Sequence, residues 1–73
     1  MEERELGRII GENLRHMIAA SPYRTQVAFA SAFGIDVRTV GRWVRGALFD
    51  LRVILEVARF LDVPYTSLFE NEK

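Results

Sequence analysis

Apolar residues recur along the chain at helical intervals. Leu6, Ile10, Leu14, Met17 and Ile18 lie three or four positions apart, which predicts an amphipathic helix over roughly residues 3–20. Ser21-Pro22 ends it, because proline cannot extend the backbone hydrogen-bond ladder. Thr25 can cap a second helix, to which Val27, Phe29, Ala30 and Phe33 give a broad apolar face. Gly34 is a stop signal, free to take the positive φ that closes a helix. Asp36 caps a third helix, about 37–45, that ends at Gly46. Asp50 caps a fourth, with Leu51, Ile54, Leu55, Ala58 and Leu61 as its buried stripe. Pro64 fits the first turn of a short fifth helix anchored by Leu68 and Phe69. No segment combines period-two alternation with β-branched enrichment strongly enough to read as a strand. The pattern predicts an all-α fold, a compact bundle of about five short helices. No linker divides it, so residues 1–73 are expected to form one domain.

The third helix is two-faced. At about 100° per residue, Arg38, Arg42 and Arg45 fall within about 60° of one another. Val37, Val40, Trp43 and Val44 take the opposite side, where Trp43 reads as core. Gly41 lies beside the arginine stripe and leaves it unobstructed. A glycine inside a helix costs about 1 kcal/mol relative to alanine. Two readings of Gly41 stand: close approach of another surface, or a weak position that is tolerated.

Composition narrows the chemistry. Without cysteine there is no disulfide, thiolate metal site or cysteine nucleophile, as expected of a reducing compartment. His16, the one histidine, falls on the solvent side of the first helix with no second metal-ligating partner. No Gly-rich phosphate loop or nucleophile elbow is present, so neither an enzyme nor a cofactor or metal is expected. No apolar run exceeds four residues, far below the roughly 20 that span a bilayer, and the acidic start is no signal peptide. Ten basic and ten acidic residues give zero net charge, but the sum hides a pattern. Residues 1–22 carry −1, residues 23–47 carry +3, and residues 48–73 carry −2. Fields fade over about 8 Å at physiological salt, so a partner touching the middle segment meets +3. Its basic residues are all arginine, the side chain suited to forked contacts with phosphate or guanine.

Residues 26–45 resemble the helix-turn-helix of the Cro and phage-repressor (XRE-type, lambda-repressor-like) regulators. The matching features are Gln26, Phe29-Ala30, Phe33-Gly34-Ile35, Val40 and Trp43. Ala30 is small where two helices cross, Gly34 makes the tight turn, and Phe29, Val40 and Trp43 fill the wedge behind. The flanks are similar too: Ile10-Gly11 with Leu14 on one side, and Leu51 through Leu68 on the other. The resemblance implies a DNA-binding transcriptional regulator, bacterial or phage-encoded and cytoplasmic, most simply a repressor of the Cro type. Its third helix would enter the major groove of a palindromic operator, with Val37, Arg38 and Arg42 reading bases. Gln26 inherits the family's contact with the DNA backbone at a helix N-terminus, with Tyr23, Arg24 and Thr25 beside it. Thr39 and Arg45 are the other expected backbone contacts. A single small module implies a homodimer on half-sites about 34 Å apart, with Leu48, Phe49 and Tyr65 as dimer contacts.

Three features depart from the family. It commonly ends the recognition helix with Glu-Asn-Gly, the glutamate pairing with a first-helix arginine. Here the string is Val44-Arg45-Gly46 and the first-helix position is Ile18, so both partners have become apolar. The following loop, normally polar, is Ala47-Leu48-Phe49, an apolar patch suited to protein contact. The first loop is one residue longer and the 47–50 loop one shorter than usual. The neutral charge and apolar loop support a second reading: a protein-interaction module, an antirepressor or accessory subunit, that keeps the fold without strong DNA binding.

Overall fold

The computed structural model describes residues 2–71, and among these every regular element is helical. Helix α1 spans Glu3–Ala20, α2 Gln26–Phe33, α3 Val37–Arg42 and α4 Leu51–Leu61. The capping residues act as their chemistry requires. The Thr25 side chain accepts the Ala28 N–H, Asp36 accepts that of Arg38, and Asp50 accepts those of Arg52 and Val53. Gly34 closes α2 with φ 93°, and the N–H groups of Gly34 and Ile35 both donate to the Ala30 carbonyl. Asp62 closes α4 in the same left-handed region, with φ 60°.

Two elements differ from the sequence pattern. The α-helical ladder of α3 stops at Arg42, and Trp43–Ala47 continue as a π-helical turn that breaks at Gly46, with φ 113°. Helix α1 packs closely against this turn. A Cβ on Gly11 would stand 2.6 Å from the Val44 carbonyl oxygen, and one on Gly7 would run into the Gly46 carbonyl and the Phe49 ring. Glycines one helical turn apart thus let α1 lie directly on the carbonyls of the widened turn. The second difference is the final element. Tyr65–Phe69 form a 3-10 turn rather than an α-helix, and Pro64 precedes it in extended conformation instead of lying in its first turn. Asn13 of α1 fixes this turn, its Nδ2 donating to the Leu68 and Glu70 carbonyls at 2.8 Å each.

The core runs through all these elements, from Ile10, Leu14 and Ile18 of α1 to Phe29, Val40, Val57 and Leu68. Half-buried Val44 packs against the same cluster as Ile18, so the apolar replacements of the usual ion pair share one core. The predicted stripe of α4 is only partly right. Ile54, Ala58 and Leu61 are buried, but Leu51 and Leu55 are 56% and 43% exposed, and Val57 takes their place. At about 100° per residue, Ile54, Val57, Ala58 and Leu61 form one arc, and Leu51 and Leu55 lie past its edge. Val27 of α2 is likewise exposed rather than part of a buried face. Leu48 corrects a site expectation. It is 2% exposed and belongs to the core, so it cannot serve as a dimer contact. The left-handed Gly46 turns the chain, and the extended Leu48 after it drops inward.

Candidate nucleic-acid interface

The first turn of α3 presents Val37 and Arg38 outward. Val37 is just exposed, whereas Val40, three residues on, is fully buried and anchors the helix. Trp43 is half-buried against the core, its ring edge-to-face with Phe33 at 6.2 Å. Arg38 is paired with Asp36. Its Nε donates to Asp36 Oδ1 at 3.1 Å and its Nη2 to Oδ2 at 2.9 Å. The same Oδ1 accepts the Arg38 backbone N–H at 2.8 Å. The Arg38 guanidinium, then this backbone bond, holds the Asp36 carboxyl below the usual carboxylate range. Asp36 in turn raises the Arg38 value. The side chains remain 83% and 50% exposed, so this is a solvent-facing pair.

The remaining arginines of the stripe are arranged by their own helix. Arg42 Nη2 donates to Thr39 Oγ1 at 3.2 Å, which directs the half-buried threonine and the exposed arginine together. Arg45 folds back over Gly41, where a Cβ would stand 3.6 Å from its Nη1 and meet nothing nearer. Among the described residues, no other element comes closer to that position than the Arg45 guanidinium. Arg45 also borders an open cleft of about 630 Å³, whose other walls include Glu2, Glu3, Glu5, Arg8 and Phe49. The acidic start of α1 therefore lies beside an expected phosphate contact. Tyr65, exposed at the other end of the chain, sets its ring edge-to-face with Phe69.

The segment before α2 is more constrained than its sequence suggests. Ser21 is buried, its hydroxyl donating to the Ile18 carbonyl and accepting the Tyr23 N–H. Arg24 takes φ 71°, and the Thr25 N–H donates to the Tyr23 carbonyl at 2.7 Å, which makes a γ-turn centred on Arg24. This turn sets exposed Arg24 and Thr25 just ahead of half-buried Gln26, the first residue of α2. Tyr23 stands apart from them. Its ring stacks on Phe60 at 5.3 Å and meets Phe29 edge-on, inside an aromatic cluster.

Three features were missed in the sequence. The paired roles of Asp36 and Arg38 had a signal, an acid two residues before an arginine at a helix start, but Asp36 was read only as a cap. The glycine pair of α1 was legible as a four-residue spacing. The exposure of Leu51 and Leu55 had no local signal.

The sequence profile of the helix-turn-helix family matches residues 23–68, which include α2, α3, α4 and all but the last residue of the C-terminal turn. The chain belongs to the XRE-type, Cro-like helix-turn-helix family. This is a family of DNA-binding regulatory domains that are not typically enzymatic. No curated protein and no solved structure matches the chain. The matched span leaves out α1, yet α1 lies against the end of the helix-turn-helix through Gly11, against the following turn through Gly7, and holds the C-terminal turn through Asn13. Among the described residues, no helix is long and apolar enough to cross a membrane.

Proposed function

We propose that this helix-turn-helix chain is a sequence-specific transcriptional regulator of the Cro/repressor type, acting in the cytoplasm as one domain. It inserts α3 into the major groove of a palindromic operator. Val37, Arg38 and Arg42 read bases, and Arg24, Thr25, Gln26, Thr39 and Arg45 hold the DNA backbone. Tyr23, its ring half-buried against Phe29 and Phe60, is a further contact with the DNA backbone. The observation that carries this reading is the first turn of α3. There an arginine fork and a small apolar side chain stand exposed beside each other, matched to guanine and to the thymine methyl.

Two copies act together through the outer face of α4. Leu51 and Leu55 are exposed one turn apart on it, with Arg52 and Glu56 exposed alongside. Antiparallel pairing about a twofold axis near residues 53–54 sets Leu51 against the second copy's Leu55, and Arg52 against its Glu56. Both contacts then occur twice, as an isologous interface requires. Exposed Phe49 and Tyr65 are further contacts between the copies.

Fluorescence anisotropy with duplex DNA tests the reading. Nonspecific binding in this class lies near 10⁻⁴–10⁻⁶ M at physiological salt and tightens below it. Undetectable binding at ~10 μM protein and about 50 mM salt refutes DNA binding and leaves the protein-interaction module. Selection from a random DNA pool then supplies the operator. On that site Arg38→Ala costs about 1–3 kcal/mol and relaxes one base position, whereas Arg24→Ala weakens all sequences alike.

A further inference from the structure

We propose that Asp36 is a specificity-determining positioning residue: its carboxylate clamps the Arg38 guanidinium side-on, so that Arg38 presents one fixed donor fork to a guanine edge. The inference rests on the DNA-binding reading above and adds to it a residue that touches no base.

The geometry is a short rigid chain. Asp36 Oδ1 accepts the Arg38 backbone N–H, which fixes the carboxylate to the start of α3. Oδ1 and Oδ2 then accept Nε–H and one Nη2–H of the same residue. A guanidinium carries five N–H donors, so this side-on clamp leaves both on Nη1 and the second on Nη2. Those include the parallel pair at the tip of the side chain. Guanine O6 and N7 accept such a pair in the major groove.

The pair contributes little to folding, because exposed ion pairs are weak. Its effect falls on binding. A free arginine surrenders rotamers when it docks, and a clamped one has already surrendered them. Ordering one such side chain is worth a factor of about 2–12 in affinity. The clamp also neutralises Arg38, which removes it from the charges that attract phosphate indiscriminately. Asp36 therefore strengthens binding to the correct site and weakens binding to every other.

This signature separates positioning from simple structural support, which would move both affinities in one direction. D36N and D36S keep a good helix cap, but neither offers two carboxylate oxygens to the guanidinium. The probes are a duplex recovered from the random pool and a scrambled duplex of equal length, titrated by anisotropy over a range of salt. Both variants are expected to bind the scrambled duplex at least as tightly as the unsubstituted chain. Their salt dependence steepens by about 0.9, one added phosphate contact. Their preference for the selected duplex falls about 2- to 12-fold, at the same base position that R38A relaxes. In an R38A background, D36N changes the preference no further. An unchanged preference, or equal weakening on both duplexes, overturns the proposal. If the unsubstituted chain binds neither duplex, the DNA-binding reading fails first and the inference falls with it.

Discussion

Gly11 and Gly41 both sit inside helical turns, and the same substitution at each should act in opposite directions. Replacing a helical glycine by alanine gains about 1 kcal/mol from helix propensity alone. At Gly11 that gain meets an obstacle. The new Cβ stands 2.6 Å from the Val44 oxygen and 2.8 Å from the Trp43 oxygen, both backbone atoms. Carbon and oxygen need more than 3 Å, so α1 or the whole π turn must move by a few tenths of an ångström or more. Overpacking of this kind costs about 1–3 kcal/mol, and more where backbone cannot yield. Because both obstructing atoms are backbone, the cost at Gly11 lies in the upper part of that range, about 2–3 kcal/mol, and the expected net effect of Gly11→Ala is a loss of about 1–2 kcal/mol. Gly41→Ala meets only the tip of Arg45 at 3.6 Å, an ordinary contact, and keeps the full gain. For a domain of this size 1 kcal/mol moves Tm by about 4–8 °C. Thermal unfolding followed by circular dichroism resolves both signs. A Gly11→Ala chain as stable as the original, or a destabilised Gly41→Ala chain, refutes the packing argument. The stabilised Gly41→Ala chain then decides between the two readings of that glycine: lost DNA affinity means DNA approaches it closely, and unchanged affinity means it is merely tolerated.

Other expectations follow from single observations. Leu48→Ala should cost about 2–5 kcal/mol in urea unfolding, because Leu48 is core, while Phe49→Ala costs clearly less. Arg24→Gly should unfold at higher temperature than Arg24→Ala, since only glycine relaxes a positive φ, worth roughly 1 kcal/mol. Leu55→Glu should leave Tm nearly unchanged and abolish pairing of copies in sedimentation equilibrium; an unaltered dimer excludes the α4 face. The Asp36 carboxyl is depressed in the folded chain, so its stabilising contribution is complete above the unfolded value of about 3.9. That contribution disappears as pH falls through the lower folded value. Carbon-detected NMR titration should show the depression largely removed in Arg38→Ala.

Much of the fold was legible because its signals are local. Thr25, Asp36 and Asp50 cap helices through their own side chains, and Gly34 turns the chain through its own φ. Each acts within a few residues, where sequence spacing is also spatial spacing. The family string is legible for the same reason, since it encodes one helix-turn-helix wedge. What failed depends on how helices are laid against one another. The apolar pattern of α4 is broader than its buried arc, and only docking against the core decides that Val57 goes inside and Leu55 outside. The close seating of α1 glycines on the carbonyls of the π turn joins segments distant in sequence, so no window around Trp43 contains it, although the break at Gly46 was legible. Likewise, the hydrogen bonds of Asn13 span more than fifty residues.

The charge distribution sharpens the proposed mode of action. The +3 of residues 23–47 resolves into particular side chains, because Asp36 and Arg38 cancel. Arg24, Arg42 and Arg45 remain, and Arg45 shares its cleft with Glu2, Glu3 and Glu5 as well as Arg4 and Arg8. At about 0.9 per phosphate neutralised, Arg24 and Arg45, the two assigned to the backbone, set a salt slope near about −1.8 per chain, and a phosphate contact by Arg42 as well would take it no further than roughly −2.7. A pair of copies then lies between about −3.6 and −5.4, no more than about half the slope of roughly −10 for the lac repressor. A regulator so built has little indiscriminate attraction to spend on search. Its affinity must come from base contacts, from preorganised side chains and from pairing of copies. The measured slope tests this directly. A value near −2 to −3 per chain supports the assignment of these arginines, and a much steeper one means that further cations such as Arg8 or Arg52 reach phosphate and that α3 is not the main contact.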